Sequence, residues 1–234
     1  MTTIRILSAG AVKEGLRKSA ELFTSETGQR HEIEFATGPV IKERVLSGNA
    51  DVDLIAMPQP GFDDLIAAGI LGEKDIELLG FVTGGVTIRN GDREPDLSTV
   101  DAFLESLLSA DRVIYNTASS GQYVAKTLEK LGLADKIADK VSILETGKAA
   151  MEALAADTSG KAIGFGHATE IRLHDYLGTH LVGPLPEEIG RQTPYAIGLL
   201  SGSSQPKEAR QMIELMISAR GRKIFHDTGV LQAE

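Results

Sequence analysis

Short apolar runs alternate with stretches of helical periodicity along the whole chain, and this alternation predicts its elements. Ile4–Ser8 is apolar and is followed by the small residues Ala9-Gly10-Ala11. Val12–Glu26 then places Val12, Leu16, Ala20, Leu22 and Phe23 at helical spacing. The pattern predicts a strand, a turn and a helix that closes at Gly28. His31–Phe35 alternates as a second strand and leads through Ala36-Thr37-Gly38-Pro39 into a helix over Val40–Ser47. Asp53–Met57 predicts a buried strand, and Asp63–Ala68 a short helix ended by Gly69. Strand material recurs at Leu78–Phe81 and Val86–Ile88, separated by Gly84-Gly85, where the chain is expected to cross between two lobes.

The pattern then starts again. A helix over Thr99–Leu108, a strand over Arg112–Tyr115, a turn at Asn116–Ser120 and a helix over Gly121–Leu131 form one unit. Val141–Leu144 leads through Glu145-Thr146-Gly147 to a helix over Lys148–Ala156, and Ala162–Phe165 leads through Gly166-His167 to a helix over Ala168–Leu173. A strand at His180–Val182 and a Pro-rich link precede the apolar strand Thr193–Leu200, read as the return crossing. A helix over Pro206–Ala219 and a short segment, Gly221–Val230, complete the first lobe. Repeated strand–turn–helix units imply an α/β fold with parallel strands and helices on both sheet faces. The expected division is residues 1–82 and 194–234 for lobe I and 83–193 for lobe II.

Composition narrows the function classes. With 42% hydrophobic and 24% charged residues in 234, the chain can bury a core. Its net charge of -9 argues against nucleic acid or an anionic membrane surface as a partner, while a small anion bound by backbone N–H groups stays compatible. There is no Cys, which excludes disulfides, thiolate metal sites and Cys nucleophiles. His174 and His180 lack a third ligand at regular spacing, so no metal site is expected. No cofactor is expected either, since the chain has no Walker-type or dinucleotide fingerprint, and it also lacks a Gly-x-Ser-x-Gly nucleophile elbow. No apolar run approaches the ~20 residues of a membrane-spanning helix, so no membrane insertion is expected. The N-terminus runs straight into a strand without the features of a secretory leader. The expected location is the cytoplasm for the chain as it stands, and the periplasm where a leader has been removed.

In α/β sheets ligands bind at the strand C-terminal ends. Those ends carry Ser8-Ala9-Gly10-Ala11, Ala36-Thr37-Gly38, Thr117-Ala118-Ser119-Ser120-Gly121, Glu145-Thr146-Gly147-Lys148 and Gly166-His167. Small and hydroxylated residues that open helices offer N–H and O–H donors to an anion. The plainer explanation of any single turn is capping, because Ser, Thr and Gly precede helices in most α/β proteins.

Five segments carry a family resemblance: Ile6-Leu7-Ser8-Ala9-Gly10-Ala11-Val12, Phe35-Ala36-Thr37-Gly38-Pro39-Val40, Leu46-Ser47-Gly48-Asn49-Ala50-Asp51-Val52-Asp53-Leu54-Ile55-Ala56, Thr117-Ala118-Ser119-Ser120-Gly121-Gln122-Tyr123 and Gly147-Lys148-Ala149-Ala150-Met151-Glu152-Ala153-Leu154. Together with Ala162-Ile163-Gly164-Phe165-Gly166 and Thr193-Pro194-Tyr195-Ala196-Ile197, they make nearly the whole chain resemble the molybdate-binding component of bacterial ABC importers. The resemblance implies a bilobal type II periplasmic-binding-protein fold, with two three-layer α/β lobes joined by a two-crossover hinge. It further implies a small anion bound in the cleft between the lobes, and an importer permease as partner if the chain is exported. The implied ligand-binding positions are Ser8, Ala11, Thr37, Gly38, Ser119, Ser120, Gly121, Gly147, Lys148, Phe165 and His167.

Two positions depart from the family pattern, because its first-loop Ser falls on Ala11 and its late Tyr on Phe165. Each charged hydrogen bond lost costs about 1.5–3 kcal/mol, which turns attention from molybdate to organic acids. Lys148 and His167 are read as able to carry positive charge to carboxylates. Aconitate isomerase is similar to the same family, and this raises an alternative from another class. Moving the double bond of a tricarboxylate needs clamps for carboxylates and a base that removes an activated C–H proton. In that reading His167 is the base or acid, Lys148 the clamp, and Glu145 or Tyr123 a second proton carrier.

Overall fold

A computed structural model describes residues 3–232; residues 1, 2, 233 and 234, which the expected lobe I includes, lie outside the described residues. The chain divides into two compact units, one made of residues up to Val82 and from Thr193 onward, the other of Thr83–Gln192.

The first unit opens with β1 (Thr3–Ala9), a turn of 3-10 helix at Gly10–Val12, α1 (Lys13–Thr27) and β2 (Arg30–Ala36). It continues through α2 (Gly38–Leu46), β3 (Leu54–Pro58), α3 (Phe62–Ala67) and the first half of β4 (Ile76–Arg89). Beyond the second unit it resumes with β9 (Gln192–Leu199), α8 (Pro206–Ile217) and α9 (Ala219–Asp227). β1 lies between β2 and β3 and runs parallel to both. Ile4, Ile6 and Leu7 of β1 are fully buried, in one core cluster with Leu16, Ala20 and Phe23 of α1, Ile41 and Val45 of α2, and Met212, Ile213 and Met216 of α8. An apolar run flanked by helices on both faces is the expected composition of a central parallel strand.

The second unit takes the rest of β4, then α4 (Val100–Ser109), β5 (Arg112–Asn116), α5 (Ser119–Lys130), β6 (Val141–Leu144) and α6 (Gly147–Ala155). It ends with β7 (Ala162–His167), α7 (Ala168–Leu173) and β8 (Thr179–Pro184). β5 is parallel to β6 and β7. Its side chains alternate between two cores: Val113 and Tyr115 pack with Phe103, Val124 and Phe165, while Ile114 packs with Ala150, Met151, Leu154 and Ile171. The period of two therefore places an apolar residue on each face in turn.

Three features differ from the sequence expectation. The sheets are not wholly parallel: β9 is antiparallel to β3, and β4 is antiparallel to β7 and β8. β4 and β9 are the strands by which the chain enters each unit, so no helical crossover within that unit fixes their direction. Gly84-Gly85 does not divide the strand, because β4 runs unbroken for 14 residues. A Cβ on Gly85 would lie 2.6 Å from Leu181 Cδ1 and 3.1 Å from Ile171 Cδ1, so the glycine serves close approach within a strand. The segment after α8 is the helix α9. Ser218 is extended (φ -63, ψ 165) and its hydroxyl accepts from the Gly221 N–H at 3.2 Å, which restarts the helix.

Asp53, buried just ahead of β3, ties the ends of the first unit together. Its Oδ2 accepts from the Arg5 N–H at 2.9 Å, and its Oδ1 from Ser203 Oγ at 2.6 Å, the Ser204 N–H at 3.0 Å and Ser204 Oγ at 3.3 Å. Burial raises the carboxyl pKa, but these donors together outweigh it and hold the pKa below its ordinary value. The chain end is held separately: Phe81 and Leu231 exchange backbone hydrogen bonds of 2.7 and 2.8 Å. Gly80 beside them has φ 139, with Leu231 O only 2.4 Å from where a Cβ would sit. Asp53→Ala leaves these buried donors without their charged acceptor and is expected to destabilise the chain by about 2–4 kcal/mol. The measurement is the urea unfolding midpoint at unchanged slope, and a midpoint equal to wild type would refute the role.

Candidate functional site

The candidate loops separate into helix starts that a side chain caps and helix starts that none caps. Thr99 Oγ1 accepts from the Ala102 N–H at the start of α4, and Thr146 Oγ1 accepts from the Ala149 N–H at the start of α6, both at 3.1 Å. At the starts of α1, α2, α3, α5, α7 and α8 no such bond forms. Thr37 occupies the N-cap position of α2 in extended conformation without accepting from the helix. Capping thus explains the Thr146-Gly147-Lys148 loop and leaves the loops after β1, β2, β5 and β7 unexplained.

In the first unit, Ser8 is fully buried in β1 between Phe35 and Ala56, and its hydroxyl donates to the Ala9 carbonyl at 3.0 Å. Ala11 is buried in the 3-10 turn and brings only backbone to the loop. Thr37 and Gly38 are half-buried at the start of α2, where Pro39 contributes no N–H. The sequence reading overlooked Lys13, the first residue of α1, whose Nζ stands 4.8 Å from the centroid of the Phe35 ring.

In the second unit the structure brings Ser119 and His167 together. Ser119 Oγ lies 3.3 Å from His167 Nε2, joining the first turn of α5 to the end of β7. Asn116 shapes this turn: its Oδ1 accepts from the Ala118 N–H at 2.9 Å and from Ser120 Oγ at 3.4 Å, while its buried Nδ2 has no acceptor among the described residues. Gly121 is required by packing, since a Cβ there would lie 1.6 Å from the Asn116 carbonyl oxygen. α5 therefore starts hard against the end of β5, and its first-turn N–H groups have no acceptor within the helix.

Gly147 and Lys148 are engaged elsewhere. The Glu170 carboxylate lies 3.0 Å from the position a Cβ on Gly147 would take, so the start of α6 already has an anion beside it. Lys148 Nζ is 3.4 Å from Glu152 Oε1, with both side chains more than half exposed. Phe165 is a core residue, its ring edge-on to Phe103 at 6.0 Å. Glu145 is exposed, and Tyr123 donates from its hydroxyl to the Ile189 carbonyl at 2.5 Å. The two histidines weighed as metal ligands are separate: His174 Nδ1 is 2.8 Å from the Glu170 carbonyl, and His180 Nδ1 is 3.0 Å from Asn90 Oδ1. Among the described residues no group of three or more His, Asp or Glu could hold a metal ion.

Burial decides the charge of His167. Removal from water pushes its pKa down to about 4, against a smaller opposing hydrogen bond with the Thr83 backbone. The imidazole is neutral near pH 7, so in place of the cation read from sequence it stands as a neutral hydrogen-bonding group. The sign for stability follows. Above the unfolded value of 6.5 neither state takes the proton, and between 6.5 and about 4 the unfolded chain takes it while the folded one does not. Folding stability is expected to fall by up to about 3 kcal/mol as pH drops through that window. His31, also lowered by burial, adds in the same direction. Comparing His167→Gln with wild type isolates the effect, and identical pH profiles of unfolding free energy would overturn it.

Three relatives bear on this geometry. An aconitate isomerase of a Pseudomonas species is 27% identical over 237 residues, covering 98% of this chain and 88% of that protein. The periplasmic molybdate-binding protein of Azotobacter vinelandii superposes with a TM-score of 0.78 at 15% identity, over 99% of this chain and 100% of that one. A sulfate-binding protein of Mycobacterium tuberculosis superposes with a TM-score of 0.79 at 14% identity, over 98% of this chain and 86% of that one. Both structures show the type II binding-protein fold for this chain. Among the described residues no helix is long and apolar enough to cross a membrane. The family of bacterial extracellular solute-binding proteins matches residues 4–231, and the chain belongs to that family.

Proposed function

We propose that the protein binds a small anion at the strand C-terminal ends of its units, as the solute-binding component of an ABC-type importer. The observation that supports this reading is that, of the helices that follow β1, β2, β5, β6 and β7, only α6 has a side-chain cap, and the small and hydroxylated residues at the starts of α1, α2 and α5 leave their N–H groups uncapped. Such ends offer N–H groups and the positive end of the helix dipole to an anion. Thr37, Gly38 and the Ala11 backbone would serve in the first unit, and Ser119, Ser120, the Gly121 backbone and neutral His167 in the second. On this reading the protein works in the periplasm and hands its ligand to a permease, which the match to an extracellular solute-binding family supports.

A thermal-shift panel of molybdate, tungstate, sulfate, phosphate, citrate, cis- and trans-aconitate tests the reading. A ligand at 100 times its Kd stabilises by about 2.7 kcal/mol, which for a chain of this length raises Tm by about 5–10 °C. No shift with any of these anions would sink the proposal.

The Ser119–His167 pair supports a second reading, as an isomerase of a tricarboxylate. A neutral imidazole held beside a hydroxyl is in the protonation state that a general base needs at neutral pH. The 27% identical aconitate isomerase gives the substrate to try. The binding reading expects trans-aconitate to stay unchanged on prolonged incubation, followed by proton NMR. Conversion to the cis isomer, abolished in His167→Gln, would establish the isomerase in its place.

A further inference from the structure

The chain has three asparagines, and their surroundings differ. Asn116 is buried and precedes Thr117, Asn49 is exposed and precedes Ala50, and Asn90 is exposed and precedes Gly91. The side-chain amide carbon of an asparagine lies within reach of the backbone nitrogen that follows it, and a glycine there, having no Cβ, leaves the approach unhindered. Of the three, Asn90 alone combines an open surface with such a neighbour.

Asn90 and Gly91 form the tip of a turn just beyond β4. The Asp92 N–H donates to the Arg89 carbonyl at 3.2 Å and Gly91 has φ 88, as in a type II turn. Arg89 clasps Asp92 at the base, Nη2 to Oδ1 at 2.8 Å, and the Asn90 N–H donates to the Gly178 carbonyl at 2.8 Å. The Gly91 N–H donates to no acceptor among the described residues. His180 of β8 faces the amide: its Nδ1 lies 3.0 Å from Asn90 Oδ1, and its Nε2 lies 3.3 Å from Glu94 Oε1. A carbonyl oxygen only accepts, so Nδ1 is the donor of the first bond. The turn lies at the opposite end of the sheet from His167, because β4 runs antiparallel to β7 with Gly84 beside His167 and Thr87 beside Gly164.

We propose that Asn90 is a site of self-modification, where the chain converts the amide to aspartate or isoaspartate with the assistance of His180. The Gly91 nitrogen bonds to Asn90 Cγ, the Cγ–Nδ2 bond breaks, and the proton of the Gly91 N–H ends on the departing ammonia. Water then opens the cyclic imide at either of its carbonyls. Negative charge develops on Oδ1 as the new bond forms, and the Nδ1–H of His180 already stands at hydrogen-bond distance from that oxygen. The product sets a carboxylate against His180, with Glu94 on the other side of the ring, and the isoaspartate form adds a methylene to the backbone of the turn.

The test is peptide mapping by mass spectrometry of the full chain after prolonged incubation in neutral buffer, for wild type, Asn90→Gln, His180→Phe and His180→Gln. The readout is the mass gained at each asparagine when OH replaces NH2. In wild type, Asn90 is expected to convert at least about tenfold faster than Asn49, and Asn90→Gln should abolish this fast conversion. His180→Phe should slow Asn90 at least about threefold in the native chain and not at all in urea, where the contact with the ring is lost. His180→Gln, whose amide donates in place of the ring, should recover part of that loss. Conversion of Asn90 no faster than that of Asn49 would overturn the site. Equal native rates in wild type and His180→Phe, a loss that persists in urea, or no recovery in His180→Gln would each overturn the part given to His180.

Discussion

A helix that begins where a parallel strand ends must open with N–H groups that no residue of the helix can accept from, and the rest of this molecule is arranged around that constraint. Every β–α passage in the parallel parts of the two units delivers such a start to the same edge of its sheet. The chain answers in two ways. At α6 the Thr146 hydroxyl closes an orphan donor locally, as Thr99 and Ser218 do at α4 and α9 outside those passages. At α1, α2, α3, α5 and α7 the donors are left to something other than a capping side chain.

Charge follows the same division. At α6 the Glu170 carboxylate lies beside Gly147, and Lys148 turns to Glu152 along its own helix. Around α5 the nearby groups are neutral: a hydroxyl, an amide with a spare donor, and an imidazole that burial keeps uncharged. A neutral surround in an acidic protein avoids repelling an anion without committing to a fixed counter-ion.

The strands and helices were legible in the sequence wherever a period was sustained. β1 with α1, and β5 with α5, match the spacing of Ile4–Ser8, Val12–Glu26, Arg112–Tyr115 and Gly121–Leu131 to within a few residues. Illegible were features set by partners distant in sequence. Gly84-Gly85 looked like punctuation because nothing local shows that Leu181 and Ile171 press on the strand there. The direction of β4 and β9 depends on where the chain enters each unit, which periodicity does not encode. In the site, the sequence placed Ser119 and His167 on separate loops at strand ends without pairing them, and the charge of His167 depended on burial that no motif reports. Phe165 belonged to the core through Phe103, some 60 positions earlier in the chain. Lys13 sat unnoticed at the head of an ordinary amphipathic helix, and only the fold places Phe35 beneath it.

Gly121 carries a consequence for how such a protein can diversify. With the Asn116 carbonyl 1.6 Å from any Cβ, that position is closed to every other amino acid, and the backbone of the α5 turn is inherited as a block. Descendants of this chain can vary this region only around the block, at side chains such as Ser119 that project from it. A lineage of this kind would keep one invariant cradle and change ligands by exchanging the residues at its rim.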